Sequence, residues 1–310
     1  MIHTITFNPG IDFTLRLQEL KPGGVQRPDD VSEQPGGKGM NVSMALARLG
    51  VDTRAWVLLG GRRGEAWKDL ASNVGFEIQA IEMTGETRQN IKVFETGLNR
   101  QTDLNLPGPS FEPEAFDHLL SGLAREVGEN DLVVVAGSSL PDTPPETWVR
   151  LGKILRGNGA RLVIDVSGGP LKSVEEFRPW MVKINLDEYN EWKMTDHRSL
   201  DSVVASMETH DLPHHLLLTD GGNGALGISS EGSIERVGCY EVEVQGTVGA
   251  GDAFTAGFLA AWEELDNGWR NALAWGAATA AGAVELPGTD FPTRERVLEI
   301  LMKEEEKDSV

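Results

Sequence analysis

Short apolar runs recur through the middle of the chain, with amphipathic stretches between them. Residues 131–136 (Asp-Leu-Val-Val-Val-Ala), 161–165 (Arg-Leu-Val-Ile-Asp), 180–184 (Trp-Met-Val-Lys-Ile) and 215–219 (His-Leu-Leu-Leu-Thr) read as strands buried on both faces. Residues 143–156 and 199–209 carry helical spacing between such strands. Alternation of this kind predicts an α/β fold: a mostly parallel central sheet with helices on both faces, in one domain over residues 1–310. Ligands in such sheets gather at the carboxyl ends of the strands. That rim would carry Gly137, Ser138, Asp165, Asn185, Asp220 and Gly221. Two segments break the rhythm. Residues 10–34 and 86–106 alternate polar and apolar positions, as in Gln89-Asn-Ile-Lys-Val-Phe94, and predict half-exposed strands of a small separate sheet.

Composition narrows the function. The net charge of −20 excludes a basic surface of the kind that binds nucleic acid. No apolar run is long enough to span a bilayer, and Met1-Ile-His-Thr-Ile-Thr-Phe-Asn8 reads as a strand rather than a secretory segment, so a cytoplasmic protein is expected. The single Cys239 excludes an internal disulfide and any multi-cysteine metal site, and it is expected to be a buried, inert thiol in a strand. The six histidines show no metal-ligand spacing and none is read as catalytic.

Two glycine-rich segments carry the chemistry. In Gly246-Thr-Val-Gly-Ala-Gly-Asp252 the glycines lead into a run of helical spacing, with a carboxylate at the junction. A helix start leaves backbone N–H groups without partners and favours negative charge. Glycine lets that backbone close on an oxyanion, and Asp252 beside it is placed to take a proton from a hydroxyl. A plain N-cap would account for a lone motif of this type. A second signature argues otherwise: Gln34-Pro-Gly-Gly-Lys-Gly-Met-Asn41 opens a helix that ends at Gly50. It is neither a P-loop nor a dinucleotide fingerprint.

The pair of motifs resembles the two signatures of the PfkB/ribokinase-like carbohydrate kinases. The resemblance extends over nearly the whole chain and implies a ribokinase-like fold in which residues 10–34 and 86–106 form a β-sheet lid over the sugar. It implies ATP as phosphoryl donor, Mg²⁺ as cofactor, Asp252 as base, and Gly249, Ala250 and Gly251 as the anion hole. Asn8-Pro-Gly-Ile-Asp12, Thr87-Arg-Gln-Asn-Ile-Lys92, Thr102-Asp-Leu-Asn105 and Ala136-Gly-Ser138 are similar to segments of the members that act on hexose phosphates. Fructose 1-phosphate is the implied substrate, with tagatose 6-phosphate or fructose 6-phosphate as alternatives and a non-catalytic sugar-phosphate sensor as a remote one. Asp12, Gly36, Gly37, Lys38, Asn41, Arg88, Asn90, Lys92, Asn105 and Ser138 would then bind the sugar phosphate. Arg88 offers a planar fork for the existing phosphate, with Lys38 and Lys92 as added point charges. Lys183-Ile-Asn-Leu-Asp-Glu188 resembles the family's Lys-Pro-Asn-x-x-Glu, with Ile184 in place of proline, and implies Lys183 near the nucleotide and Asn185 with Glu188 at the metal. Thr219, Asp220, Gly221, Gly222 and Gly224, together with Val248, Ala277 and Ala280, would line the nucleotide. Arg27 stands where some relatives reach into a neighbouring subunit, and the apolar positions of the lid strands suggest a homodimer joined through the lids.

Overall fold

The computed structural model describes residues 1–166, 169–172, 174–207, 214–264 and 268–308. The chain begins with β1 (Ile2–Thr6) and leaves for a small sheet as β2 (Gly10–Leu17) and β3 (Asp30–Gly36). It returns through α1 (Lys38–Arg48), β4 (Thr53–Gly60), α2 (Gly61–Leu70) and β5 (Glu77–Met83), then leaves again as β6 (Arg88–Glu95) and β7 (Arg100–Asn105). Next come α3 (Pro113–Glu126), β8 (Leu132–Ala136), α4 (Glu146–Gly157) and β9 (Arg161–Asp165). Short α5 (Gly169–Lys172) and α6 (Val174–Phe177) lead to β10 (Met181–Asn185), α7 (Leu186–Lys193), α8 (Leu200–Ser206) and β11 (His215–Thr219). The hairpin β12 (Ala225–Ile228) and β13 (Ile234–Val237) precedes α9 (Ala250–Glu264), α10 (Trp269–Val284) and α11 (Arg294–Asp308).

Among the described residues the large sheet has the order β13-β12-β11-β10-β9-β8-β1-β4-β5. It is parallel from β5 to β11, and the β12–β13 hairpin adds an antiparallel edge. Its strands are apolar on both sides because alternate residues feed different cores. Val133, Val135, Ile164, Ile184 and Leu218 pack with Phe116, Leu119, Trp148 and Leu151 of α3 and α4. Leu132, Val134, Val163, Met181 and Leu217 pack with α1, α9 and α10 through Val42, Leu46, Phe258 and Leu273. Burying both faces is what makes the strand runs continuous in sequence. The small sheet has the order β3-β2-β6-β7, with β2 and β6 parallel and the outer pairs antiparallel.

Three sequence-based expectations are corrected. The helix expected from position 143 starts at Glu146, because Pro145 is its N-cap and Thr143 closes a turn on the Leu140 carbonyl. The helix expected over 199–209 ends at Ser206 within the described residues, and the rest of that expectation lies outside them. Cys239 is exposed and follows β13 rather than lying in a strand. No helix among the described residues is long and apolar enough to cross a membrane.

Helices α9 and α10 approach closely because Gly257 has no side chain. A Cβ there would lie 2.6 Å from the Trp275 carbonyl oxygen and collide with the Thr279 hydroxyl. Gly257→Ala gains helix propensity of about 1 kcal/mol, but overpacking costs roughly 1–3 kcal/mol, so the steric term wins. The variant is expected to have a lower midpoint in urea unfolding, despite the better helix former.

Candidate active site

The start of α9 sits at the carboxyl rim of the parallel sheet. Gly249, at φ +80°, turns the chain into the helix, and its carbonyl accepts from the Ala253 N–H at 2.8 Å. The Ala250 N–H makes only a long 3.3 Å bond to the Thr247 carbonyl. The first turn of a helix leaves its N–H groups without intrahelical acceptors, so this cradle is positive. Asp252 lies buried in it and accepts from the Asn41 side chain at 2.7 Å, which ties α9 to α1. Burial, followed by the negative charge of Asp165, pushes the Asp252 carboxyl up to about 6. A carboxylate poised there is a competent proton acceptor near neutral pH.

Asp165 ends β9 beneath this cradle and is also buried. Its Oδ2 lies 3.0 Å from Lys183 Nζ and accepts from the Thr255 hydroxyl at 3.0 Å, and its Oδ1 lies 3.5 Å from Lys38 Nζ. Burial opposes its ionisation, but Lys183 and Lys38 outweigh that and hold the carboxyl below the usual range. Lys38 is itself held protonated well above its ordinary range, chiefly by Asp165. Lys38, expected to add charge for the substrate's own phosphate, lines the cavity with its ammonium 3.5 Å from Asp165 and 3.8 Å from Glu188.

Asn185 and Glu188 cap α7 reciprocally. The Glu188 N–H donates to Asn185 Oδ1 at 2.8 Å, and the Asn185 N–H donates to Glu188 Oε2 at 2.9 Å. Among the described residues no group of three or more histidine, cysteine or acidic side chains converges as a metal cage. One carboxylate and one amide fit a hydrated Mg²⁺, which keeps most of its water, better than a directly ligated ion.

The small sheet supplies the opposite wall. Asp12 on β2 accepts from Asn90 at 2.8 Å and pairs with Lys92 at 2.7 Å, both on the neighbouring β6. The parallel register that sets Asp12 against Asn90 brings these groups to one face. A Cβ on Gly36 would lie 2.5 Å from the Asp12 carboxyl carbon, so Gly36 acts by leaving room for Asp12. Gly37, at φ +136°, could carry no Cβ without striking Thr6 at 2.6 Å. Arg88 at the start of β6 donates weakly to the Leu106 carbonyl at 3.5 Å, its Nε has no hydrogen-bond partner, and among the described residues it forms no ion pair. The side-chain oxygens of Asn41 and Asn90 are likewise buried without donors.

These walls enclose a cavity of about 960 Å³. It gathers Asp12, Gly37, Lys38, Asn41, Arg88, Asn90, Lys92, Asn105 and Ser138 together with Lys183, Asn185, Glu188 and residues 249–252. Thr219, Gly221, Gly222, Gly224, Val248, Ala277 and Ala280 line the rest. Ser138 accepts from Asn8 at 3.3 Å. Two expected residues do not line it. Gly36 lies behind Asp12, and Asp220 turns its carboxylate to Asn223 at 3.0 Å to close a 3₁₀ turn. Sequence reasoning missed Thr6, Asp103, Phe254 and the segment 238–244, which includes exposed Cys239. The alternation in Glu241-Val-Glu-Val244 imitates a strand, and no local signal marks it as a cavity wall. Asp165 was legible only as a strand end.

Buried cations, unfilled amide acceptors and a glycine-lined helix start thus meet at the rim of a doubly covered sheet, where ligands of such folds bind. The pattern of the pfkB family carbohydrate kinases matches residues 6–296. The chain is 32% identical over 285 residues to a 1-phosphofructokinase of Bacillus subtilis, covering 90% of this chain and 92% of that one. It is also 32% identical over 302 residues to a 1-phosphofructokinase of Haloferax volcanii, covering 96% and 95%. The structure of phosphofructokinase-2 from Escherichia coli in complex with substrates and products superposes with a TM-score of 0.88 at 26% identity, covering 97% of this chain and 98% of that one. The chain belongs to the pfkB family of carbohydrate kinases and has the ribokinase-like fold. It is a phosphotransferase with an alcohol group as acceptor.

Proposed function

We propose that the protein transfers the γ-phosphoryl group of ATP to fructose 1-phosphate in the cytoplasm, giving fructose 1,6-bisphosphate. The observation that carries this reading is Arg88, a half-buried guanidinium whose buried Nε is unfilled and which forms no ion pair among the described residues. Burial pushes it below its ordinary range, so an anion is what the position lacks. A sugar without a phosphate would leave that charge uncompensated. Asn41 and Asn90 each present an oxygen able to accept from a sugar hydroxyl, and Asp12 adds its carboxylate beside Lys92. The two relatives named as 1-phosphofructokinases favour fructose 1-phosphate over the tagatose 6-phosphate and fructose 6-phosphate alternatives.

In this reading the small sheet is a lid that excludes water from the transfer. The substrate's phosphate lies against Arg88, and its free primary hydroxyl faces Asp252. Asp252 accepts the hydroxyl proton as the oxygen attacks, with Asn41 fixing the carboxylate. The N–H groups of Gly249, Ala250 and Gly251 hold the charge on the migrating phosphoryl, where fixed dipoles act without reorganisation. Lys183 lies beneath them: a Cβ on Gly251 would sit 3.1 Å from its Nζ. Asn185 and Glu188 would hold Mg²⁺ through water, and when bound the ion offsets charge on the β- and γ-phosphate oxygens. Thr219, Asp220, Gly221, Gly222 and Gly224 form the turn assigned to ATP's ribose and phosphates, with Asp220 shaping it. Val248, Ala277 and Ala280 are the wall for the base.

Asp252→Asn should retain fold and ATP binding while kcat drops by roughly two to four orders of magnitude, the span of a lost general base. A variant keeping more than a tenth of parent kcat would remove Asp252 from that role. Because the base works deprotonated and its folded pKa is about 6, kcat/KM should be flat above that value and fall as pH drops through it.

Arg88→Ala should raise KM for fructose 1-phosphate steeply and leave KM for ATP nearly unchanged. Equal effects on both would point away from a phosphate contact.

Leu20, Val25, Val31, Leu98, Leu104 and Leu106 are exposed on the small sheet and its loops. Such edges pair readily with a second copy. Light scattering at micromolar concentration should therefore give the mass of a dimer, and a fully active monomer would contradict assembly through the lids.

A further inference from the structure

The described residues hold a second buried carboxylate at the rim that the proposed transfer does not use. Asp165 is buried and is not among the residues that line the cavity, yet it touches three elements of the site at once. Its Oδ2 meets Lys183 of β10 and Thr255 of α9, each at 3.0 Å, and its Oδ1 faces Lys38 of α1 at 3.5 Å. Thr255 also reaches back to the Gly251 carbonyl at 3.1 Å, which links Asp165 to the first turn of α9. Lys183 Nζ is thereby fixed beneath Gly251.

We propose that Asp165 is a positioning residue: its charge holds the Lys183 ammonium under the phosphoryl cradle and sets the basicity of Asp252. This rests on the reading of Asp252 as the base. The groups that bear on Asp252 are Asn41 and Lys38 of α1, Asp165 of β9 and Lys183 of β10. The carboxylate neighbour raises its proton affinity, and the two cations and the amide lower it. Asp165 acts twice, because it repels the Asp252 charge directly and neutralises the two lysines that would otherwise stabilise it. A nearby ionised group shifts a carboxyl by about one to three pH units. Thr255, by contrast, carries no charge, so its removal loosens the first turn of α9 without changing that balance.

The test is the pH dependence of kcat/KM in four variants of the full chain. Asp165→Asn keeps the shape and removes the charge. Its acid limb should move down by about one pH unit, and its plateau kcat should fall about tenfold to a hundredfold, with KM for the sugar phosphate within about twofold. Lys183→Met removes a cation from the same pair, and its limb should move up instead. Thr255→Val should lower kcat with the limb in place. A folded Asp165→Asn enzyme whose limb stays at the parent position overturns the proposal. If Asp165→Asn does not fold, the sign of the Lys183→Met shift decides, and a downward or absent shift overturns it. Asp252→Asn separates the two readings: a surviving limb with near-parent kcat rejects Asp252 as the base. An inactive Asp252→Asn with an unmoved limb in Asp165→Asn rejects only the role of Asp165.

Discussion

Charge buried at the carboxyl rim of the parallel sheet is the constraint around which this molecule is arranged. Two carboxylates, Asp165 and Asp252, and the ammonium of Lys183 lie out of water together, with Lys38 beside them. Moving a single ion out of water costs several kcal/mol even after relaxation, so none of these groups is tolerable alone. The rim solves this by unequal pairing. Asp165 takes both lysines and stays ionised, whereas Asp252 receives only the Asn41 amide and is left with a raised affinity for a proton. Two carboxylates in one dry region thus acquire different proton affinities from their surroundings alone.

The scaffold around that rim is built to hold it still. Strands β8, β9 and β10 are packed on both faces, so the residues that end them have little freedom to drift. Helices α9 and α10 approach closely at Gly257, and the Thr255–Asp165 hydrogen bond ties α9 to the end of β9. The wall formed by the small sheet is of another kind. It has four strands and several exposed apolar side chains, and it contributes its Asp12–Lys92 pair from strands with one face open. The floor is packed on both faces, and the small sheet that faces it is packed more lightly.

An anionic protein that binds anionic metabolites presents an apparent conflict, since the chain carries a net charge of −20. Distance resolves it. Exposed charges are screened over about 8 Å at physiological ionic strength, while groups inside a cavity act on a ligand at contact through a less polar medium. Arg88, Lys92, Lys38 and Lys183 all line the cavity, beside Asp12, Asp103, Glu188, Glu241 and Asp252, so a ligand meets cations at contact although the surface is acidic.

Much of this was legible in the sequence. Strand runs and helical stretches gave the layered fold because a doubly buried strand must be continuously apolar, and period-two alternation marked the small sheet because one of its faces stays open. The glycine-rich segments marked two walls of the cavity, since a backbone that approaches an anion or a carboxylate has no room for a Cβ. Local spacing could not say which charges would meet. Asp165 finds Lys38, Lys183 and Thr255 only because the sheet order sets β9 beside β10 and brings α1 and α9 onto the same face. For the same reason the direction of Lys38, the turn-closing role of Asp220 and the exposed position of Cys239 escaped the sequence. The sequence by itself determined which elements form and which residues are chemically able to act. Tertiary structure alone decided their pairings, because ion pairing and burial depend on distances between segments that are remote along the chain.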